Sequence, residues 1–380
     1  MNKKNDRETV ERNKAFLKRK MTDRILLRAH LSNIPPLSVR ANAYANNRNI
    51  NGNCMKPSEY EYGCVSITRR EWVIENAKRY FDMCASIEDD TIPRSYPTLH
   101  FGESIYAGML GADIKFFGTP THSYSFGKPI IKDVHDLDIL RIDENNPWVI
   151  AFKESAAYFA DRAAGEFCLQ YFISIDALNL VVELMGSTEA YICALTDEEI
   201  VRKIMEFGID YNAWFYSLQK EIYKKNNQIV LLDSELYDLY DKTWYSIDAY
   251  TICNPDLYDT MGFDYQQRLI QKCGGGMLHT HGTGLIDLCP KVAKLDGLDV
   301  LQLGRDLKAE EYLGIEYLKI FREQAGDLPL LFSLSPEEFE NGIRNRTLPG
   351  GVMYDTHADT VEQANRMAKL AKDYLAPRII

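Results

Sequence analysis

Little in the chain would direct it to a membrane, a polyanion or an oxidising compartment. No stretch approaches the ~18 consecutive apolar residues of a bilayer span, and Met1–Arg7 is charged with no apolar core of a secretion signal. The expectation is a cytoplasmic protein without a membrane partner. Cysteines at metal or redox spacing are missing: Cys54, Cys64, Cys84, Cys168, Cys193, Cys253, Cys273 and Cys289 are scattered, with no C-x-x-C pair. In a core of this size no disulfide framework is expected, and each thiol reads as a small buried apolar residue. Basic excess is missing too. Lys and Arg number 44 against 55 Asp and Glu, a formal net charge of −11 that repels phosphates over most approaches, so nucleic acid is not an expected partner. Internal repeats and low-complexity linkers are absent, which leaves one domain over residues 1–380 as the reading.

What the chain has is enough apolar content for a large core, 46% of 380 residues, within the length range of a single α/β barrel with insertions. From about residue 165, short aliphatic runs alternate with amphipathic segments. Strands are expected at Glu166–Ser174, Gln228–Leu236, Trp244–Ile252, Gly275–Gly282, Asp299–Arg305, Leu328–Ser335 and Gly350–His357, and Arg24–Leu31 supplies an eighth. Helical spacing marks Asp197–Lys220, Asp256–Lys272, Leu285–Leu295, Lys308–Gln324 and Thr360–Leu375. Three helix starts carry capping signals, Thr196-Asp197-Glu198-Glu199, Asn254-Pro255-Asp256 and Ser335-Pro336-Glu337-Glu338. Alternation of this number predicts a closed (β/α)8 TIM barrel, whose active-site groups sit at the C-terminal ends of the strands. Residues 36–164 interrupt the pattern with tyrosine- and glycine-rich sequence and at least one helix, Arg70–Ser86, and read as an insertion over one mouth of the barrel.

Histidine is scarce, seven in all, and two fall in Gly274-Gly275-Gly276-Met277-Leu278-His279-Thr280-His281-Gly282. On an extended strand, residues two apart project to one face, so His279 and His281 can converge on one point, and that point could be a metal ion. The plainer reading of H-x-H is a pair of half-buried histidines bonded to backbone carbonyls. His357 lies at another expected strand end, two residues after Asp355. Asp233 and Glu235 share a strand face in Val230-Leu231-Leu232-Asp233-Ser234-Glu235, where they could serve as acid and base, complete a metal's coordination, or form a solvated strand end. Glu103, in His100-Phe101-Gly102-Glu103, reads as a surface acid, and Trp214 and Trp244 as core or lid.

Three blocks resemble the uroporphyrinogen decarboxylase superfamily, which holds the decarboxylase of haem synthesis and zinc methyltransferases that work with corrinoid proteins. The first is ALNLVVELMGSTEAYICALTDEEIVRKIMEFGIDYNAWF from Ala177. In the second, D-A-Y-T-I-C-N-P-D-L-Y from Asp248 leads through a helix into L-H-T-H-G at Leu278–Gly282. The third is GGVMYDTHADTVEQANRMAKLAK from Gly350. The likeness spans roughly residues 165–375, with a weaker echo at Arg12–Arg24.

It implies a barrel of that type and methyl transfer between a small substrate or thiol and a corrinoid partner. Zinc or a similar divalent ion would be held by His279, His281 and His357, standing where the methyltransferases have histidine and two cysteines. Imidazoles in place of two thiolates leave the ion a harder Lewis acid, better suited to oxygen ligands than to thiolate. Asp248 stands where the family places a polar group facing the cavity, and Asp355 is placed either to ligate or to orient His357 through its ring N–H. The decarboxylase branch is a second reading. Its arginine block is reduced to Arg28 in Asp23-Arg24-Ile25-Leu26-Leu27-Arg28. A barrel that only binds a corrinoid or small ligand is a third. An amidohydrolase would carry H-x-H on its first strand rather than the fifth, and a glycosidase built on Asp233 has nothing positive behind it. A homodimer is compatible with all of these.

Overall fold

The computed structural model describes residues 6–32, 67–91, 102, 104–118, 123–163, 168–225, 242–281, 284–304 and 315–377. In chain order the first elements are α1 (Asp6–Leu17), β1 (Ile25–Leu31), α2 (Ile67–Cys84), α3 (Ile105–Met109), β2 (Ile114–Gly118), β3 (Ser123–Gly127) and α4 (Pro147–Ala163). Then come β4 (Ser174–Ile175), α5 (Ala177–Met185), α6 (Ser187–Thr196), α7 (Glu198–Lys225), β5 (Thr243–Ser246), α8 (Asp256–Met261), α9 (Phe263–Cys273) and β6 (Gly276–His281). The chain closes with α10 (Leu285–Val292), β7 (Leu298–Gly304), α11 (Ile315–Ala325), β8 (Leu330–Ser333), α12 (Pro336–Asn345), β9 (Val352–Ala358) and α13 (Val361–Asp373). No single helix among the described residues is long and apolar enough to cross a membrane.

The chain divides into two compact units, one of Met1–Ile34, Phe81–Ser95 and Val230–Ile380, the other of Pro35–Tyr80 and Tyr96–Ile229. Residues 81–95, read from sequence as part of the insertion, thus belong with the first unit, and 165–229 with the second.

In the first unit six strands pair in the order β1-β9-β8-β7-β6-β5, all parallel. This is the α/β fold expected, and six of the eight expected strands lie in this unit; the run Glu166–Ser174 yields only the two-residue β4 at its end. The segment Gln228–Leu236 falls outside the described residues, as do Asp233 and Glu235, and no pairing that closes a barrel is seen among the described ones. Both faces of the sheet are buried, as parallel strands covered by helices require. On the inner face Leu26, Met277, Val300, Leu331 and Met353 pack with Phe16 and Met21 into one apolar layer, with Trp244 against it. Because side chains alternate, the next residues on that face lie two further along each strand: Arg28, Ser246, His279, Gln302, Ser333 and Asp355. The polar groups therefore gather on the C-terminal side of the apolar layer.

The outer edge of β1 is covered by residues 89–91. Asp90 N–H donates to the Leu27 carbonyl at 2.9 Å, and the Asp90 and Asp89 carboxylates accept from Leu27 N–H and Ala29 N–H, each at 2.9 Å. Thr9, Arg12 and Asn13 of α1 bind the same two residues and so fix this cover on the edge at Leu27 and Ala29.

The run Trp244–Ile252, expected as one strand, is a strand only to Ser246 and then a 3-10 helix over Asp248–Ile252. The Thr251 hydroxyl donates to the Asp248 carbonyl at 2.8 Å, and Asp248 N–H approaches the Ser246 hydroxyl at 3.4 Å, local bonds that compete with the ladder. Asp256–Lys272 breaks into α8 and α9 at Gly262, where a Cβ would lie 2.4 Å from Tyr258 Cδ2. In the second unit the core is aromatic, with Tyr106, Phe152, Phe172, Tyr211 and Phe215 in edge and tilted contact.

Candidate metal centre

β6 is positioned by three positive-φ glycines, Gly274, Gly275 and Gly276. At Gly276 a Cβ would lie 1.9 Å from the Thr243 carbonyl oxygen, so only glycine lets β6 approach β5 here. From that start His279 and His281 project to the inner face, with ring centroids 5.5 Å apart. The turn after β5 then carries Asp248 towards them, and its Oδ2 lies 3.3 Å from His281 Nε2. One potential donor atom each from Asp248, His279 and His281 lie within 4.8 Å of one another, the one such trio of His, Cys, Asp or Glu among the described residues.

Neighbouring side chains orient each of these groups. The Ser246 hydroxyl donates to Asp248 Oδ2 at 2.7 Å. Gln302 Oε1 lies 3.0 Å from His279 Nδ1. Gly304, in register with His281, leaves room for both rings: a Cβ there would sit 3.0 Å from His281 Cβ and 3.1 Å from His279 Cε1. Burial alone would raise the Asp248 carboxyl, but the His281 hydrogen bond, the charges of both histidines and the Ser246 hydroxyl outweigh it and hold the group below its usual range.

The residues fit a divalent cation on two observations. Asp248 Oδ1 is buried and has no hydrogen-bond partner among the described residues, which leaves an anionic oxygen without a donor. The donor set, two nitrogens and one carboxylate, is one that first-row divalent ions take, and it leaves open positions.

His357 is not in this group. In the sheet β9 is separated from β6 by β8 and β7, and its other neighbour is β1. His357 is therefore in register with His30, ring centroids 5.8 Å apart, and it is exposed. The third group beside His279 and His281 is a carboxylate instead. Asp355 does not orient His357 either. It is held by Arg28 Nη2 at 2.9 Å and by His30 Nε2 at 2.8 Å. Burial would raise its carboxyl, yet the charges of Arg28 and His30 and their hydrogen bonds hold it well below the usual range. The six free cysteines among the described residues take no part. Cys168 and Cys289 are pushed up to about 11 and about 12 by burial, which makes both inert as nucleophiles at neutral pH.

Reading the sequence missed Gln302, Gly304, Ser246 and His30. A signal for the first two was present: on β7 the inward series runs Val300, Gln302, Gly304, an aliphatic residue followed by a polar one and a gap.

No protein-family model matches the chain, and no curated protein matches it. Among solved structures the chain is similar to a methyltransferase from Methanosarcina mazei, with a TM-score of 0.59 and 10% sequence identity over 96% of this chain and 98% of that one. At this identity the likeness is one of fold.

Proposed function

We propose that the chain is a metal-dependent methyltransferase, moving a methyl group between a small substrate or thiol and a corrinoid carried by a partner protein. Asp248, His279 and His281 would hold zinc or a similar divalent ion. The observation that carries the reading is the grouping of two imidazoles and a carboxylate at C-terminal strand ends, in a chain that shares its fold with a methyltransferase.

The donor set narrows the substrate. Two neutral imidazoles and one carboxylate leave a divalent ion a net positive charge, which favours an oxygen or nitrogen ligand over a soft one. A bound divalent ion would supply Lewis acidity towards the methyl-bearing or accepting atom. The protein's own part is to keep the donors in place and the Asp248 carboxyl ionised. Ser246 holds the Asp248 carboxylate, and the β5–β6–β7 ladder fixes the backbone beneath the two histidines. Arg28, the one arginine left for the decarboxylase reading, is bound to Asp355, so the observations favour methyl transfer of the two.

The test is metal analysis of protein purified without a histidine tag, followed by methylation of cob(I)alamin from methanol, methylamines and methyl thioethers, read by visible absorption. We expect about one equivalent of a divalent ion. His279→Ala, His281→Ala and Asp248→Ala should each lower its affinity by more than the about 10- to 100-fold typical of an outer-shell change. Protein that takes up no zinc would sink the metal reading. Metal uptake without methylation from any donor would leave the site and remove the reaction.

A further inference from the structure

Ser246, His279 and Gln302 form one row across three parallel strands, each in register with the next. Within that row Gln302 Oε1 lies 3.0 Å from His279 Nδ1. A carboxamide oxygen accepts and cannot donate, so the ring proton of a neutral His279 belongs on Nδ1 and the lone pair on Nε2. We propose that Gln302 is a positioning residue of the metal centre, selecting the tautomer in which His279 presents Nε2 to the ion and fixing the plane of the ring.

Nothing in the strand itself would do this. An imidazole free to exchange tautomers and rotate about χ2 offers the ion the correct nitrogen in the correct direction only part of the time, and affinity falls accordingly. Gln302 sits between Leu301 and Leu303, which are fully buried on the opposite face. A polar side chain at this position is not needed to build the sheet. Gly304, two residues further on the same face, keeps the space above Gln302 open for the two rings.

The inference rests on the reading of Asp248, His279 and His281 as a metal centre, and the experiment separates the two. Zinc affinity is measured by competition with a chromophoric chelator for the wild-type protein, Gln302→Leu and Gln302→Glu. Long-range 1H–15N spectra of the wild-type metal-free protein report which nitrogen of His279 carries the proton. We expect Nδ1–H in the wild type, a loss of about 10- to 100-fold in affinity for Gln302→Leu, and retention of most of it in Gln302→Glu, which keeps an acceptor. Unchanged affinity in Gln302→Leu overturns the inference while leaving the metal centre standing. So does an equal loss in both variants, which would mark a packing role, and so does His279 protonated on Nε2, a result that needs no variant to fold. A wild-type protein that binds no zinc overturns both.

Discussion

Gly304 is the position at which a single methyl group should do most to the candidate site. Its backbone φ is not in the left-handed region, so alanine meets no conformational penalty there, and the cost comes from His281 Cβ at 3.0 Å and the His279 ring carbon Cε1 at 3.1 Å. Gly304→Ala should lower zinc affinity about tenfold, with a stability loss of about 1 kcal/mol; a chelator competition and a urea titration read the two. Full affinity with the same melting behaviour would show that the rings do not use that space. At this scale the sequence was half legible. H-x-H on a strand forces two imidazoles to one side because the side-chain period is two, and nothing in the structure disturbs that logic. Which third residue joins them depends on strand order and on a turn, neither of which is a property of a residue and its near neighbours. His357 had the right position on its own strand, but that strand lies beside β1.

At the scale of elements, strands with an apolar inner start were legible: β6, β7 and β9 begin and end within a residue or two of the runs that announced them. So was α12, where the Ser335 hydroxyl accepts from Glu338 N–H and the Glu338 carboxylate from Ser335 N–H, the reciprocal cap that the spacing of these residues predicts. Legibility failed where a side chain competes for the backbone. The Ser246–Asp248–Thr251 turn cuts β5 short, although Tyr245, Ile247 and Ala249 keep an apolar pattern across it. It failed too at the edge of β1, covered by a segment some 60 residues distant in sequence. Asp90 is 1% exposed, accepts from Leu27 N–H and is bridged by Arg12, so it neutralises a buried charge and satisfies a strand edge together. Asp90→Ala should therefore destabilise the protein by about 3–5 kcal/mol, the penalty for removing one partner of a buried pair. Asp90→Asn, which keeps an acceptor for Leu27, should lose less. Chemical denaturation orders the three proteins, and equal stability of Asp90→Ala and wild type would show that the edge needs no cover.

For the whole molecule, polar groups lie at one end above the apolar layer of the sheet, in two sets: Asp248 from the turn after β5 with His279 and His281 on β6, and Arg28, His30 and Asp355 on β1 and β9. The second set makes stability depend on pH in a definite direction. Arg28 and His30 hold the Asp355 carboxyl well below the value of about 3.9 that it would have unfolded. Between those two values the unfolded chain binds the proton and the folded chain does not, so stability falls as pH falls. The contribution is complete above about pH 5 and is lost progressively below it. Asp248, also lowered, acts in the same direction. Asp355→Asn removes the charge while keeping the shape. At neutral pH it should be less stable than wild type by about 3 kcal/mol, because the nearly buried Arg28 guanidinium loses its carboxylate. As the pH is lowered through about 4 the two proteins should converge, since the wild-type carboxylate is then losing the advantage that the variant never had. Urea unfolding midpoints across this range measure the gap directly. A gap of constant size would mean that the pair contributes shape rather than charge, and that the acid limb of stability is set elsewhere in this acidic chain.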